Sequence, residues 1–150
     1  MISVRESSIE DIPTIVEFQQ NMAKETEGIT LNTSTLRAGV QRVFSNPTLA
    51  KYYVAESDGK VISCLLVCYE WSEWRNGIIF WIESVYVAKE ERGKKVFTTM
   101  YRFLQQLVNV DGQLKGIRLY VDKSNYTAQK VYSKLGMDGE HYKMYEWMKP

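Results

Sequence analysis

Glu83 is the only charge in an otherwise apolar run, Phe80-Trp-Ile-Glu-Ser-Val-Tyr-Val87. A carboxylate at a half-buried strand position is costly unless it is paired or used, which makes Glu83 a candidate general base. Pairing with a lysine, or facing water on the strand's open side, is the alternative. The same run leads through Glu91-Arg-Gly-Lys-Lys-Val-Phe97 into a segment of helical periodicity. Gly93 permits a sharp bend there. The first turn of a helix offers N–H groups with no intrahelical acceptor, at the positive end of the helix dipole, and so forms an anion site. Pyrophosphate is the expected occupant. Arg92, Lys94 and Lys95 add charge around it, although a solvated basic helix start has the same composition. The glycines and the Gly-Lys-Ser/Thr ending of a phosphate-loop NTPase are absent.

The elements that must position these residues follow from periodicity and punctuation. Ile2-Ser-Val-Arg reads as a short strand. Ser7 or Ser8 caps a helix carrying Ile12, Ile15, Val16 and Phe18, with Pro13 early enough to be tolerated. Asn32 opens a second helix carrying Leu36, Val40, Val43 and Phe44, which Asn46-Pro47 stops. Tyr52 to Ser57, then Asp58-Gly59, then Val61 to Tyr69 is a hairpin pattern, because Asp-Gly supplies the positive φ angles of a tight turn. A third strand is expected over Ile78–Val87 and a helix over Lys94–Val108. A strand follows over Gly116–Val121, then a helix from Asn125 to Leu135 ended by Gly136. The weak alternation from His141 to Met148 predicts a last strand. The resulting order is β-α-α-β-β-β-α-β-α-β in one α+β domain over residues 1–150: an antiparallel meander leading into one β-α-β unit.

Two segments in this order carry a resemblance. Arg92-Gly-Lys-Lys-Val-Phe97 resembles the Arg/Gln-x-x-Gly-x-Gly/Ala signature of the GNAT superfamily of acyl-CoA-dependent N-acyltransferases. Asn125-Tyr-Thr-Ala-Gln-Lys-Val-Tyr-Ser-Lys-Leu-Gly-Met137 resembles the family's second signature, Asn-x-x-Ala-x-x-x-Tyr-x-x-x-Gly-Phe. Lys95 and Phe97 depart from the first pattern, standing where the family has small residues that let the backbone approach the pyrophosphate. Right-handed helical angles over residues 94–97 would accommodate Lys95. Phe97 would fit if its ring turned into the core beside Met100.

The resemblance implies a mixed, mostly antiparallel sheet flanked by helices on both faces, and an acetyl-CoA-dependent N-acetyltransferase. The pantetheine arm would lie along Val85, Tyr86 and Val87, and the pyrophosphate on Arg92, Gly93, Lys94, Lys95, Val96, Phe97 and Thr98. Asn125 would contact the arm, a role compatible with an N-cap. Glu83 resembles the strand glutamate that some members use as base, and Tyr132 occupies the position of the thiolate's acid. On its helix Tyr132 also shares an apolar face with Ala128, Val131 and Leu135, so a core tyrosine is the competing reading. The acceptor loops would contribute Glu25, Glu27, Trp71 and Trp74, a set suited to a cationic amine, against which Arg75 stands. A non-catalytic acyl-CoA-binding module on the same fold is the alternative that Lys95 and Phe97 favour.

Composition narrows the classes. A net charge of +1 gives no basis for a nucleic-acid partner, and 45% hydrophobic residues exclude disorder. Cys64 and Cys68, with His141 as the one histidine, do not make a metal site. They read as small buried hydrophobes of a reducing compartment. The absence of a signal pattern and of a membrane-length apolar run leads to the expectation of a cytoplasmic protein. Family members are often dimers, and Trp71 and Trp74 are candidates for such an interface.

Overall fold

The computed structural model describes all residues from Met1 to Pro150. They form two compact units, Met1–Arg118 and Leu119–Pro150. The first contains β1 (Ile2–Glu6), α1 (Ile12–Glu27), α2 (Thr33–Ser45), β2 (Ala50–Ser57), β3 (Lys60–Ser72), β4 (Gly77–Val87) and α3 (Val96–Val110). β5 (Leu114–Leu119) runs across the boundary, and α4 (Tyr126–Lys134) belongs to the second unit. The sheet order is β1-β2-β3-β4-β5, with β1 to β4 antiparallel. β5 is reached by a crossover through α3, the connection that parallel neighbours require.

Local chemistry accounts for the element ends. Before α1, Asp11 accepts from the Ser8 N–H at 2.7 Å and from Arg5 at 2.8 Å, while Arg5 also pairs with Glu56 at 2.6 Å. One guanidinium thus ties β1 to the start of α1 and to β2. Asn32 caps α2 by accepting from the Thr35 N–H at 2.9 Å. Asp58 and Gly59 take φ of 51° and 74°, the positive pair expected of the hairpin turn. The meander buries two faces. Tyr52, Val54, Cys64 and Tyr86 pack on Ile15, Val16 and Phe18 of α1 and Val40 of α2. On the other face α3 buries Met100 and Leu104, and its Phe103 meets Tyr53 edge-on at 5.8 Å.

One irregularity in β4 shapes everything downstream. Leu66 pairs with Glu83, but Cys64 pairs with Tyr86, so Leu65 faces both Ser84 and Val85. This is a β-bulge. Ser84 takes φ of 54°, a left-handed conformation that costs an L-residue about 1–2 kcal/mol. The extra residue puts Glu83 and Tyr86, three positions apart, on the same α1-facing side.

Three expectations are corrected. No strand forms over His141–Met148. Residues 142–150 carry no regular structure, and Tyr142, Tyr145 and Trp147 are exposed. A strand is stabilised by the neighbour it pairs with, and the sheet order ends at β5. The element order is therefore β-α-α-β-β-β-α-β-α. The helix expected from Lys94 starts at Val96, because Lys95 is left-handed. The strand expected over Gly116–Val121 occupies Leu114–Leu119.

Candidate active site

The turn between β4 and α3 is built by two left-handed residues, Gly93 (φ 78°) and Lys95 (φ 62°, ψ 27°). Lys95 thus lacks the right-handed angles that would suit a lysine. Its backbone follows the course a glycine would take, at the cost of a strained residue. A Cβ at Gly93 would meet nothing within 4 Å, so the loop backbone is open on that side. The Lys95 side chain does not cap α3. The N–H groups of a helix's first turn, those of Val96 and Thr98 here among them, have no intrahelical acceptor, an arrangement that can receive an anion. Phe97 is half-buried, and its ring stacks on that of buried Tyr101 at 6.1 Å.

The charges around this turn are organised by Glu25, from the last turn of α1. Arg92 donates to Glu25 at 2.8 Å and to the Val87 carbonyl at 3.0 Å, and its guanidinium lies 5.4 Å above the Tyr86 ring centre. The Tyr86 hydroxyl donates to Glu25 at 3.2 Å, and Lys89 stands 3.6 Å away. Hydrogen bonding from Arg92 holds the Glu25 carboxyl below its ordinary range. Lys94 pairs with Glu91 at 3.0 Å. The structure thus brings Glu25, Tyr86, Val87 and Arg92 into one cluster, with Glu25 committed to the turn's cations. Glu27 ends α1 in solvent.

Glu83 lies in the middle of β4, half-buried on the α1-facing side. The Cys68 thiol donates to its Oε2 at 3.7 Å. Burial, followed by the Glu83 charge, pushes that thiol up to about 11, which keeps it protonated and able to donate at neutral pH. Farther along the same face, Glu70 accepts from the Trp81 indole at 3.0 Å and from Arg118 at 2.7 Å. Glu70, Trp81 and Arg118 are not marked by the sequence reading, and Cys68, expected as a small buried hydrophobe, is only half-buried and donates to Glu83. The signal available was the alternation on β3 and β4, which sets Cys68 and Glu70 on one side of β3, with Trp81 and Glu83 on the same side of β4.

Trp71 projects from the opposite face, five residues along β3 from Glu83's partner Leu66, and Trp74 sits in the β3–β4 turn. Both are exposed, at 61% and 88%. The structure does not gather them with Glu83. An open cavity of about 460 Å³ lies on that other face, lined by Tyr53, Tyr69, Phe80, Phe103 and Leu107, and no motif residue lines it.

In the second unit, Asn125 caps α4 by accepting from the Ala128 N–H at 3.1 Å. Gly136 (φ 86°) ends this helix, with the Gly136 N–H donating to the Ser133 carbonyl at 3.0 Å and the Met137 N–H to the Tyr132 carbonyl at 3.1 Å. Tyr132 is half-buried, and burial raises its phenol above the ordinary value.

Residues 16–137 match the model of the acetyltransferase (GNAT) family. The chain belongs to that family. Among solved structures, a possible acetyltransferase from Clostridium difficile 630 is 39% identical over 100% of this chain and 99% of its own, with a TM-score of 0.91. Two more distant GNAT-like structures share the fold. Glucosamine-6-phosphate N-acetyltransferase from Arabidopsis thaliana is 20% identical, covers 99% of each chain and has a TM-score of 0.74. A predicted acetyltransferase from Clostridium acetobutylicum, solved with acetyl-CoA, is 20% identical over 97% of this chain and 96% of its own, with a TM-score of 0.74. No curated protein sequence matches. Against the GNAT pattern, this chain keeps the glycine-like backbone at Lys95 without the glycine.

Proposed function

We propose that this chain, acting as one GNAT domain, transfers an acetyl group directly from acetyl-CoA to an amine of a small molecule or a protein. The observation that carries the reading is the bulged β4 running into the Gly93–Lys95 turn. It sets a carboxylate, a displaced strand backbone and an uncapped helix N-terminus in succession along one stretch of chain. The residues fit the co-substrate: strand backbone at Val85–Val87 for the pantetheine amides, and the turn at Gly93–Lys95 with the first turn of α3 for the pyrophosphate. Arg92 and Lys95 would supply countercharge.

The acetyl thioester supplies an activated acyl carbon; the chain's own groups handle the protons and the charge. A primary amine, with a pKa near ~10.4, is mostly protonated at neutral pH and must lose a proton before it attacks. Glu83 takes that proton, with the Cys68 thiol fixing one carboxylate oxygen. The nitrogen–carbon bond forms to give a tetrahedral adduct, the nitrogen releases its second proton to water, and the adduct collapses with the carbon–sulfur bond breaking. The Val85 N–H, outside the regular ladder register, donates to the acyl oxygen as it gains negative charge. Tyr132, on its position in the second signature, returns a proton to the departing thiolate.

The test begins with thermal unfolding in the presence of acetyl-CoA, CoA and ATP, followed by thiol release against a panel of amines. Stabilisation by both CoA species and not by ATP is expected, with thiol release on at least one amine. Glu83→Gln should lower kcat/KM by about 10²–10⁴ while keeping the acetyl-CoA stabilisation. Stabilisation without turnover on any amine would favour the binding-module alternative. No stabilisation by any CoA species would remove both.

A further inference from the structure

Ser84 is the strained residue of the bulge, and a non-glycine residue stays left-handed only where its surroundings hold it. The holding contact comes from α1. Gln19 is 5% exposed, and its Nε2 donates to the Ser84 carbonyl at 3.0 Å and reaches the Cys64 sulfur at 3.5 Å. It lies in the same helix as buried Ile15, Val16, Phe18 and Ala23, where a buried polar amide is costly unless it is used. A bulge turns one carbonyl off the ladder, and here that carbonyl belongs to Ser84. Its neighbours on either side are Glu83 and Val85, the two groups to which the mechanism assigns the acceptor's proton and the acyl oxygen.

We propose that Gln19 is a positioning residue for acetyl transfer: by clamping the Ser84 carbonyl, it fixes the bulge and so the directions of the Glu83 carboxylate and the Val85 N–H. The inference rests on the acetyltransferase reading for its kinetic consequence, but not for the clamp itself. Gln19→Met keeps the length and volume of the side chain and removes the donor. Glycine adopts the left-handed conformation freely, so adding Ser84→Gly should let the bulge persist without its clamp.

Two measurements separate the parts. Hydrogen exchange over residues 81–88 reads the bulge with no acetyl transfer involved. It should quicken in Gln19→Met and return toward wild type in Gln19→Met/Ser84→Gly. With the best amine from the panel, kcat should fall about 10–100-fold in Gln19→Met, the loss expected of a small misplacement at a reacting centre. KM for acetyl-CoA should stay within about threefold, and the double variant should recover most of kcat. Exchange unchanged in a folded Gln19→Met would overturn the clamp. Faster exchange with kcat within about twofold of wild type, or a kcat loss that Ser84→Gly leaves in place, would overturn its role in catalysis. If the wild type releases no thiol with any amine, the acetyltransferase reading fails, and the exchange arm still decides whether Gln19 holds the bulge.

Discussion

Lys95 carries a left-handed backbone with a side chain that disfavours it, and this has a measurable cost. Replacing it with glycine removes the Cβ clash but adds flexibility to the unfolded chain, so Lys95→Gly should stabilise the protein by about 0.5–1 kcal/mol in chemical denaturation. If Lys95 were retained for packing, the change would destabilise. The cysteines make a second prediction at this scale. Burial pushes Cys64 up to about 12 and Cys68 up to about 11, so neither forms much thiolate near neutral pH. An aromatic disulfide reagent at pH 8 should label the native protein slowly and both thiols quickly once it is unfolded. Fast native labelling of Cys68 would contradict its placement against Glu83. The sequence made Lys95 legible as a departure from a small-residue position, but not its consequence. Backbone handedness at one residue is decided by what the flanking strand and helix require.

At the scale of elements, Arg5 joins β1, the turn before α1, and β2 through Asp11 and Glu56. The Asp11 side chain is nearly buried, and hydrogen bonding from Arg5, offset in part by desolvation, lowers its pKa below the ordinary value of 3.8. A depressed carboxylate pKa contributes stability at pH values above the unfolded-state pKa, and that contribution is lost as pH falls through the folded value. Asp11→Ala should therefore cost about 1.5–3 kcal/mol at pH 7, with the gap to wild type closing only below about pH 4. A gap that is the same at pH 7 and pH 3 would assign the loss to packing. The element ends were legible here because caps and tight turns are local: Asn32, Asp58-Gly59 and Gly136 all act where their residue types predict. The Ser84 bulge was not legible. Nothing in Glu83-Ser-Val-Tyr86 marks an extra residue, since the pairing with β3 and the Gln19 clamp create it.

Taken whole, the chain has no helix long and apolar enough to cross a membrane, and no cluster of His, Cys, Asp or Glu that could hold a metal ion. Binding to the folded state alone raises stability by about 2.7 kcal/mol at a hundred times the dissociation constant, so the shift in unfolding midpoint should grow with the logarithm of acetyl-CoA concentration. A midpoint that does not move would count against the cradle at Gly93–Thr98. The amino-acid sequence by itself determined the order of elements through α4, the two signature segments and the candidacy of Glu83, because periodicity, turn chemistry and motif spacing are properties of neighbouring residues. The tertiary structure decided the rest. It cancelled the last strand, committed Glu25 to Arg92, set Trp71 on the face away from Glu83, and placed Cys68 against Glu83 and Gln19 against the β4 bulge. Each of those outcomes depends on a partner far away in the chain, and strand pairing and helix packing alone select that partner.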